Sequence, residues 1–306
     1  MKKISEGKKM FLSVFVIFIV YAIIFIIFED YDRIYLQPFE EASDWHLLIF
    51  SIIVMGILSV ILYRYAHKMD QRISREQAEK ENKMRRELTQ NIAHELKTPV
   101  ASILGYTDTI LENPDIDAEM KNRFIEKTNA QAKRLTRLLT DISTLNRMDY
   151  AQEMIAMNKI DVNEIVNEVA NDAALAMKKR NMTFNNYMPS SVFITGNYSL
   201  IYSLFRNLFD NAINYAGNNA LIELSAYEKH RQWFFSFSDN GQGVKDKHLD
   251  RLFERFYRID KGRSREIGGT GLGLAIVKNA VILHGGNISA SKNSPHGLRF
   301  NFTLNR

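Results

Sequence analysis

Residues 91–102 read NIAHELKTPVAS, at the end of a segment rich in Glu, Lys, Arg and Gln that contains no Gly or Pro from 68 to 98. That composition favours one long helix. Apolar residues recur at Met84, Leu88, Ile92, Leu96, Ile103, Tyr106 and Ile110, mostly at the spacing of four and three that lays a bundle seam along one face. At about 100° per residue, His94 falls roughly 200° from Ile92, so it is expected on the exposed side, opposite the Ile92 and Leu96 seam. Glu95 is its neighbour, and Thr98 lies one turn on, on the same face. Pro99 removes a backbone donor and is expected to kink the helix beside the histidine. A zinc reading of the HExxH type fails, because Thr98 stands where the second histidine would be.

Working outward, Glu112, Asn113, Pro114 and Asp115 supply turn chemistry. A second helix then carries Phe124, Leu135, Leu138, Ile142 and Leu145 on one stripe, with Lys, Arg and Asn elsewhere. Two amphipathic helices alone would leave much of both stripes wet. The expectation is a helical hairpin, residues 84–149, that becomes a four-helix bundle as a homodimer.

Towards the N-terminus, residues 10–28 carry no charge, and at 1.5 Å per residue they nearly match a hydrocarbon core of ~30 Å. A second uncharged run, 47–63, is flanked by Trp45 and Tyr65 as interfacial anchors and is read as a second span over 47–65. Lys2, Lys3, Lys8 and Lys9 precede the first run, and Arg64, Lys68 and Arg72 follow the second. Residues 29–46 hold six acids, Glu29, Asp30, Asp32, Glu40, Glu41 and Asp44, against Arg33 alone. By the positive-inside rule, both ends (1–9 and everything after 65) are cytoplasmic and the loop 29–46 faces out. The expected location is the cell inner, cytoplasmic membrane, with membrane lipid around both spans. A loop that short cannot bury a core of its own, and the linker 66–83 is expected to continue as helix into the hairpin.

The 306 residues include no cysteine, which excludes disulfide frameworks, cysteine-ligated metals and cysteine nucleophiles. A net charge of +5 is modest for this size, and no nucleic-acid partner is expected.

From about Asn158 the pattern changes to mixed helix and strand. Residues 221–227 and 232–238 read as two strands joined by a polar turn at 228–231. The second runs into Asp239-Asn-Gly241-Gln-Gly243. The helical stretch 207–216, NLFDNAINYA, brings Asn207, Asp210, Asn211 and Asn214 near one face. Downstream lie LFERFYR at 252–258 and GGTGLGL at 268–274. The glycine run is not a Walker A loop, because Leu274 stands where the Lys after Gly273 is required. It is not a dinucleotide fingerprint either, because Ile276 stands where the third Gly would be. What remains is a glycine-rich start to an apolar helix, whose backbone donors can approach phosphate.

The stretch from His94 to Pro99 resembles the H-box of bacterial membrane-bound sensor histidine kinases. The later blocks resemble, in order and spacing, the N, G1, F and G2 boxes of the ATPase domain those kinases share with gyrase, Hsp90 and MutL. The resemblance covers about residues 84–306. It implies an α/β two-layer sandwich ATPase domain over residues 150–306, ATP as substrate with Mg²⁺, and transfer of the γ-phosphoryl group to His94. Glu95 would be acid/base, and Thr98 would orient water in dephosphorylating a cognate response regulator. By the same resemblance Asn211 would ligate Mg²⁺, Asn207 would support the phosphate side, and Asp239 would accept the adenine amino hydrogen. Tyr215, Gly241 and Gly243 would lie about the base. Gly269, Thr270, Gly271, Leu272 and Gly273 would form the lid, with Phe253, Phe256 and Arg258 positioning it and Arg258 able to reach the γ-phosphate. Two positions depart from the family pattern: Asn214 stands where a Lys is usual, and Asn197 where an Asp is common. A scaffold that binds ATP without transferring it, and a receptor acting mainly as a regulator phosphatase, are the alternatives.

Overall fold

The computed structural model describes residues 19, 22–23, 26–27, 44–150, 155–259 and 269–306. Apart from those first five residues, the first expected span lies outside them, as does nearly all of the acidic loop. The chain divides into two compact units, one up to Thr89 and one from Gln90 to Arg306.

Helix α1 covers Asp44–Glu112. Within it, Ser51–Glu79 is long and apolar enough to cross a membrane by length and composition, one such helix among the described residues. Its apolar side chains, among them Ile53, Ile57 and Ile61, are exposed. The helix runs on through Pro99, which is buried, so the expected kink does not interrupt it. The hydroxyls of Thr98 and Ser102 donate to the carbonyls of His94 (3.3 Å) and Thr98 (3.1 Å), a local bond that fits within helical geometry on either side of the proline. After a short turn comes α2, Ala118–Tyr150. The Asp117 carboxylate caps it by accepting from the amides of Glu119 and Met120. Tyr106 and Phe124 stack across the hairpin at 5.7 Å.

The rest of the second unit is a sheet covered by helices. The five-stranded sheet has the order β2-β4-β5-β7-β6, with a separate pair β1-β3. The strands are β1 Asn158–Asp161, β2 Thr183–Tyr187, β3 Phe193–Gly196, β4 Leu221–Lys229, β5 Gln232–Asp239, β6 Ile288–Lys292 and β7 Leu298–Asn305. β2 runs parallel to β4 and all the other pairs are antiparallel. The helices are α3 Val162–Lys179, α4 Tyr198–Tyr215, the short α5 Asp246–Leu249 and α6 Gly273–Leu283. The expected hairpin is present but tighter. β4 and β5 each extend beyond the read boundaries and pair as far as Lys229 with Gln232, leaving only His230 and Arg231 as the loop. Both adopt positive φ, 52° and 64°, which a two-residue hairpin turn requires and which no Gly or Asn signalled in the sequence.

Alternation explains the core. Trp233, Phe235 and Phe237 of β5 and Leu298, Phe300, Phe302 and Leu304 of β7 all point inward. They meet the apolar stripe of α4, where Leu204, Phe205, Leu208 and Phe209 are fully buried. Phe235 stacks on Phe302 at 4.9 Å, and Phe205 meets both rings edge-on. This wall fixes α4 against the sheet, and so sets where its polar face opens. Leu138, Leu145 and Met148 of α2 join the same core, which seats the hairpin's second helix on the ATPase-like layer.

Candidate functional site

A cavity of about 930 Å³ opens between α4, the end of β5, the glycine-rich segment before α6, and α2. That is the size range of small-molecule sites. Asn207, Asn211, Asn214 and Tyr215 line it from one face of α4, three and four residues apart. Asp239 and Gly243 line it from the G1 stretch, and Gly269, Thr270, Gly271 and Gly273 from the glycine-rich run, with Arg258 beside them.

Four expected residues are not in the wall but behind it. Gly241 packs so closely beneath Ala216 that an added Cβ would lie 2.6 Å from the Ala216 carbonyl oxygen. It is needed for close approach of chain to chain. Phe253 is core, edge-on to Phe300 at 6.1 Å. Leu272 is fully buried. Phe256 holds a positive φ of 62°, and its amide donates to the Gly271 carbonyl at 2.8 Å, a main-chain clasp between the segment after α5 and the glycine-rich segment.

Asp239 sits almost wholly buried at the end of β5. Its carboxylate accepts from the amides of Gly241 (2.8 Å) and Leu298 (3.4 Å). Burial pushes its pKa up, and these two amides only partly oppose that. At the other end, Asn207 donates to the Ser203 carbonyl at 2.8 Å. A Cβ on Gly273 would lie 2.5 Å from the Asn207 side-chain oxygen, so any larger residue there would force the Asn207 side chain to shift.

The histidine end is arranged differently. His94 is exposed, as its phase on the helix predicts. Glu95 is not free to serve it: Oε2 accepts from Arg134 of α2 at 3.1 Å and from Arg258 at 2.9 Å. Arg258 therefore bridges the cavity wall and the neighbour of His94. Its Nε is buried without a partner, and an unpaired guanidinium nitrogen in a cavity wall suits an oxygen-rich anion. Thr270 donates to Asp141 of α2 at 2.8 Å, and burial pushes Asp141's pKa up, partly opposed by Thr270 and Arg137. Arg255 grips Asp149 through both carboxylate oxygens at 2.8 Å. Arg134, Asp141, Asp149 and Arg255 were not singled out from sequence. The available signal was the spacing of Arg134, Arg137 and Asp141 along one polar face of α2.

Asn197 proves to be remote from the cavity. It is the N-cap of α4, accepting from Leu200 N–H at 3.1 Å, fourteen residues before Asn211. Asn and Asp cap equally well, so this departure leaves the site alone. Asn214, in contrast, lies in the cavity wall, and a neutral amide there is a real difference in charge.

The donor set fits a nucleotide. A buried carboxylate at one end suits an amino-substituted base, and α4 amides, glycine main chain and an orphaned guanidinium suit phosphates. Among the described residues no group of three or more His, Cys, Asp or Glu could hold a metal alone. Asn211 with phosphate oxygens is the arrangement Mg²⁺ accepts, since it is usually held by few protein ligands plus substrate.

The sequence matches known families. The family model described as histidine kinase-, DNA gyrase B-, and HSP90-like ATPase matches residues 196–306, and the His Kinase A (phospho-acceptor) domain matches residues 84–151. The sensor-like histidine kinase SenX3 of Mycobacterium tuberculosis is 33% identical over 220 residues, 72% of this chain and 53% of that protein. The sensor protein kinase WalK of Staphylococcus epidermidis is 33% identical over 279 residues, 90% of this chain and 45% of that protein. The chain thus spans about half the length of these relatives. The fold is shared with the Acinetobacter baumannii histidine kinase AdeS, at TM-score 0.56 and 22% identity over 69% of this chain and 97% of that one. It is also shared with histidine kinase ThkA, solved in complex with response regulator protein TrrA, at TM-score 0.57 and 22% identity over 72% of this chain and 61% of that one. With a phosphoacceptor hairpin and a kinase-type ATPase domain matched in order along it, the chain belongs to the sensor histidine kinases of two-component systems.

Proposed function

We propose that this chain is an ATP-dependent protein-histidine kinase that phosphorylates itself on His94 and passes the phosphoryl group to an aspartate of a cognate response regulator. The observation that carries the reading is the convergence of Asn207, Asn211, Asp239 and the glycine-rich segment on one cavity, in the same compact unit as an exposed His94.

Phosphoryl transfer has a loose transition state, so catalysis is mostly positioning and charge neutralisation. Asp239 would fix the adenine amino group, and Tyr215, Gly241 and Gly243 shape the base end. Asn207 and residues 269–273 would hold the phosphates. Mg²⁺ at Asn211 would supply charge neutralisation on the phosphate oxygens. His94 Nε2 would bond to the γ-phosphorus as the bond to the bridging oxygen breaks, the electron pair leaving with ADP. The Nδ1 proton would pass to Glu95. In the arrangement described here Glu95 is held by Arg134 and Arg258, so the kinase step requires those arginines to release it. Arg258 would then be free to reach the γ-phosphate.

The hairpin exposes Val100, Leu104, Leu111, Met120, Ile125 and Leu139, which supports burial against a second copy in a homodimeric bundle. Thr98, one turn from His94, would orient water against the regulator's aspartyl phosphate. The exposed apolar surface within Ser51–Glu79 supports contact with membrane lipid as one of two spans, with both termini cytoplasmic and the domains running 66–83, 84–149 and 150–306 as read from the sequence.

The test is labelling of the purified chain with γ-labelled ATP. Acid-labile, alkali-stable label that disappears in His94→Gln, while nucleotide binding persists, is the expected result. Undiminished labelling of His94→Gln would remove His94 as the phosphoacceptor.

A further inference from the structure

Among the described residues, α4 gives the phosphate end of the cavity amides and one acid but no uncommitted cation. Arg206 of α4 is tied to Asp210 at 3.2 Å; elsewhere in the wall Lys292 is tied to Asp246 at 2.8 Å and Arg258 to Glu95 at 2.9 Å, so Arg258 serves phosphate only once that pair opens. Asn214 adds no charge. Yet a di- or triphosphate is a concentrated anion that favours fixed positive charge.

A cation does enter the wall from outside the ATPase layer. Arg137 of α2 lines the cavity. One turn along the same helix, Asp141 is bonded to Thr270 at 2.8 Å, three residues before Gly273, which abuts Asn207. Asp141 feels the charges of both Arg137 and Asp210, and Asp210 adjoins Asn211. Arg137 therefore stands at the phosphate end of the cavity. Two other cations in the wall have no ion pair among the described residues: Arg180 follows α3 and its carbonyl accepts from Asn219, next to the strand that leads to the base end, and Lys245 follows Gly243 by two residues, at that same end.

We infer that Arg137 is a phosphate-binding residue that the phosphoacceptor hairpin contributes to the nucleotide cavity, supplying in this chain the positive charge that Asn214 does not. This rests on the nucleotide reading above and deepens it. The consequence is a coupling: a bound nucleotide with phosphates is held by both the ATPase layer and α2, so it favours the docked arrangement, whereas a nucleoside does not.

The experiment uses the full chain in detergent and measures displacement of a fluorescent nucleotide by adenosine, ADP and a non-hydrolysable ATP analogue. Arg137→Ala is expected to weaken ADP and the analogue about fivefold, the scale of a partly exposed charge pair, while adenosine competes as before. Arg137→Lys should retain most of the affinity, and Asn214→Lys should restore it in the Arg137→Ala chain. Equal loss for adenosine and ADP, or no loss for either, would overturn the proposal. If the unaltered chain binds no nucleotide, or Asp239→Ala binds as well as the unaltered chain, the cavity reading itself falls. If those controls hold and the ratio of ADP to adenosine affinity is unmoved by Arg137→Ala, only the role of Arg137 falls.

Discussion

The base end of the cavity and the surroundings of His94 are built on opposite plans. Around Asp239, main-chain amides, a buried carboxylate and glycines in contact with neighbouring backbone leave little room for adjustment. Around His94, the ring is exposed and the adjacent Glu95 is engaged by arginines from two other segments. A rigid pocket paired with a presented acceptor suits a reaction whose donor must be held still and whose acceptor must serve two partners in turn.

Breaking the rigid side gives the largest effects. Asp239→Ala removes the acceptor of the Gly241 and Leu298 amides and the proposed partner of the base, and a lost charged hydrogen bond of about 1.5–3 kcal/mol predicts at least tenfold weaker ATP binding. Isothermal titration would show it, and binding within twofold of the unaltered chain would mean that this carboxylate does not meet the base. Mixed with His94→Gln, the Asp239→Ala chain should regain label if the dimer works in trans.

Gly241→Ala comes next. Its Cβ would meet the Ala216 backbone, which cannot yield as a flexible side chain would, so overpacking of about 1–3 kcal/mol is expected. The midpoint of urea unfolding should fall and nucleotide affinity fall with it. An unchanged midpoint would show that the end of α4 gives way freely and that the pocket is less rigid than drawn here.

On the presented side the effects are smaller. The Thr98 hydroxyl now donates to the His94 carbonyl and can turn to a water when a regulator docks. Thr98→Ala should keep autophosphorylation and slow dephosphorylation of the regulator about fivefold, the scale of one neutral hydrogen bond of about 1 kcal/mol. Equal decay of the phosphorylated regulator with both chains would leave Thr98 a helix residue only.

How far the sequence carried these expectations follows the same division. Periodicity indicated both hairpin helices, the exposed phase of His94 and the polar face of α4, because each is a local regularity of spacing. The turn at His230 and Arg231 was read too long, since two non-glycine residues at positive φ leave no compositional mark. Gly241, expected near the base, Leu272, expected in the lid, and Phe253, expected to position the lid, all lie behind the cavity wall, a distinction of depth that a linear motif does not encode. The bonds from Arg134 and Arg258 to Glu95, and from Thr270 to Asp141, join residues 39 to 163 positions apart. A polar stripe on α2 looked solvated because nothing local says that another layer will cover it.

The smallest predicted effect tests whether the Asn197 end of α4 is scaffold alone. His284 is buried, and its Nε2 accepts the Asn197 amide at 3.0 Å, so Nδ1 carries the proton and donates to the Ala280 carbonyl at 2.7 Å. Burial lowers its pKa below the ordinary 6.5. The unfolded chain therefore takes up a proton near that value while the folded chain resists, and by linkage stability falls as pH drops below about 6.5, by at most about 1.4 kcal/mol per unit until the folded pKa is reached. Above that range the histidine contributes no pH dependence. Urea unfolding at several values between pH 7.5 and 5.5 should show the decline, and His284→Gln, which cannot titrate, should show a shallower one. ADP affinity at pH 7.5 should be the same in both chains, because the N-cap lies at the far end of α4 from Asn211. A matched decline in the two chains would clear His284 of the effect, and a loss of ADP affinity in His284→Gln would show that the two ends of α4 are not independent.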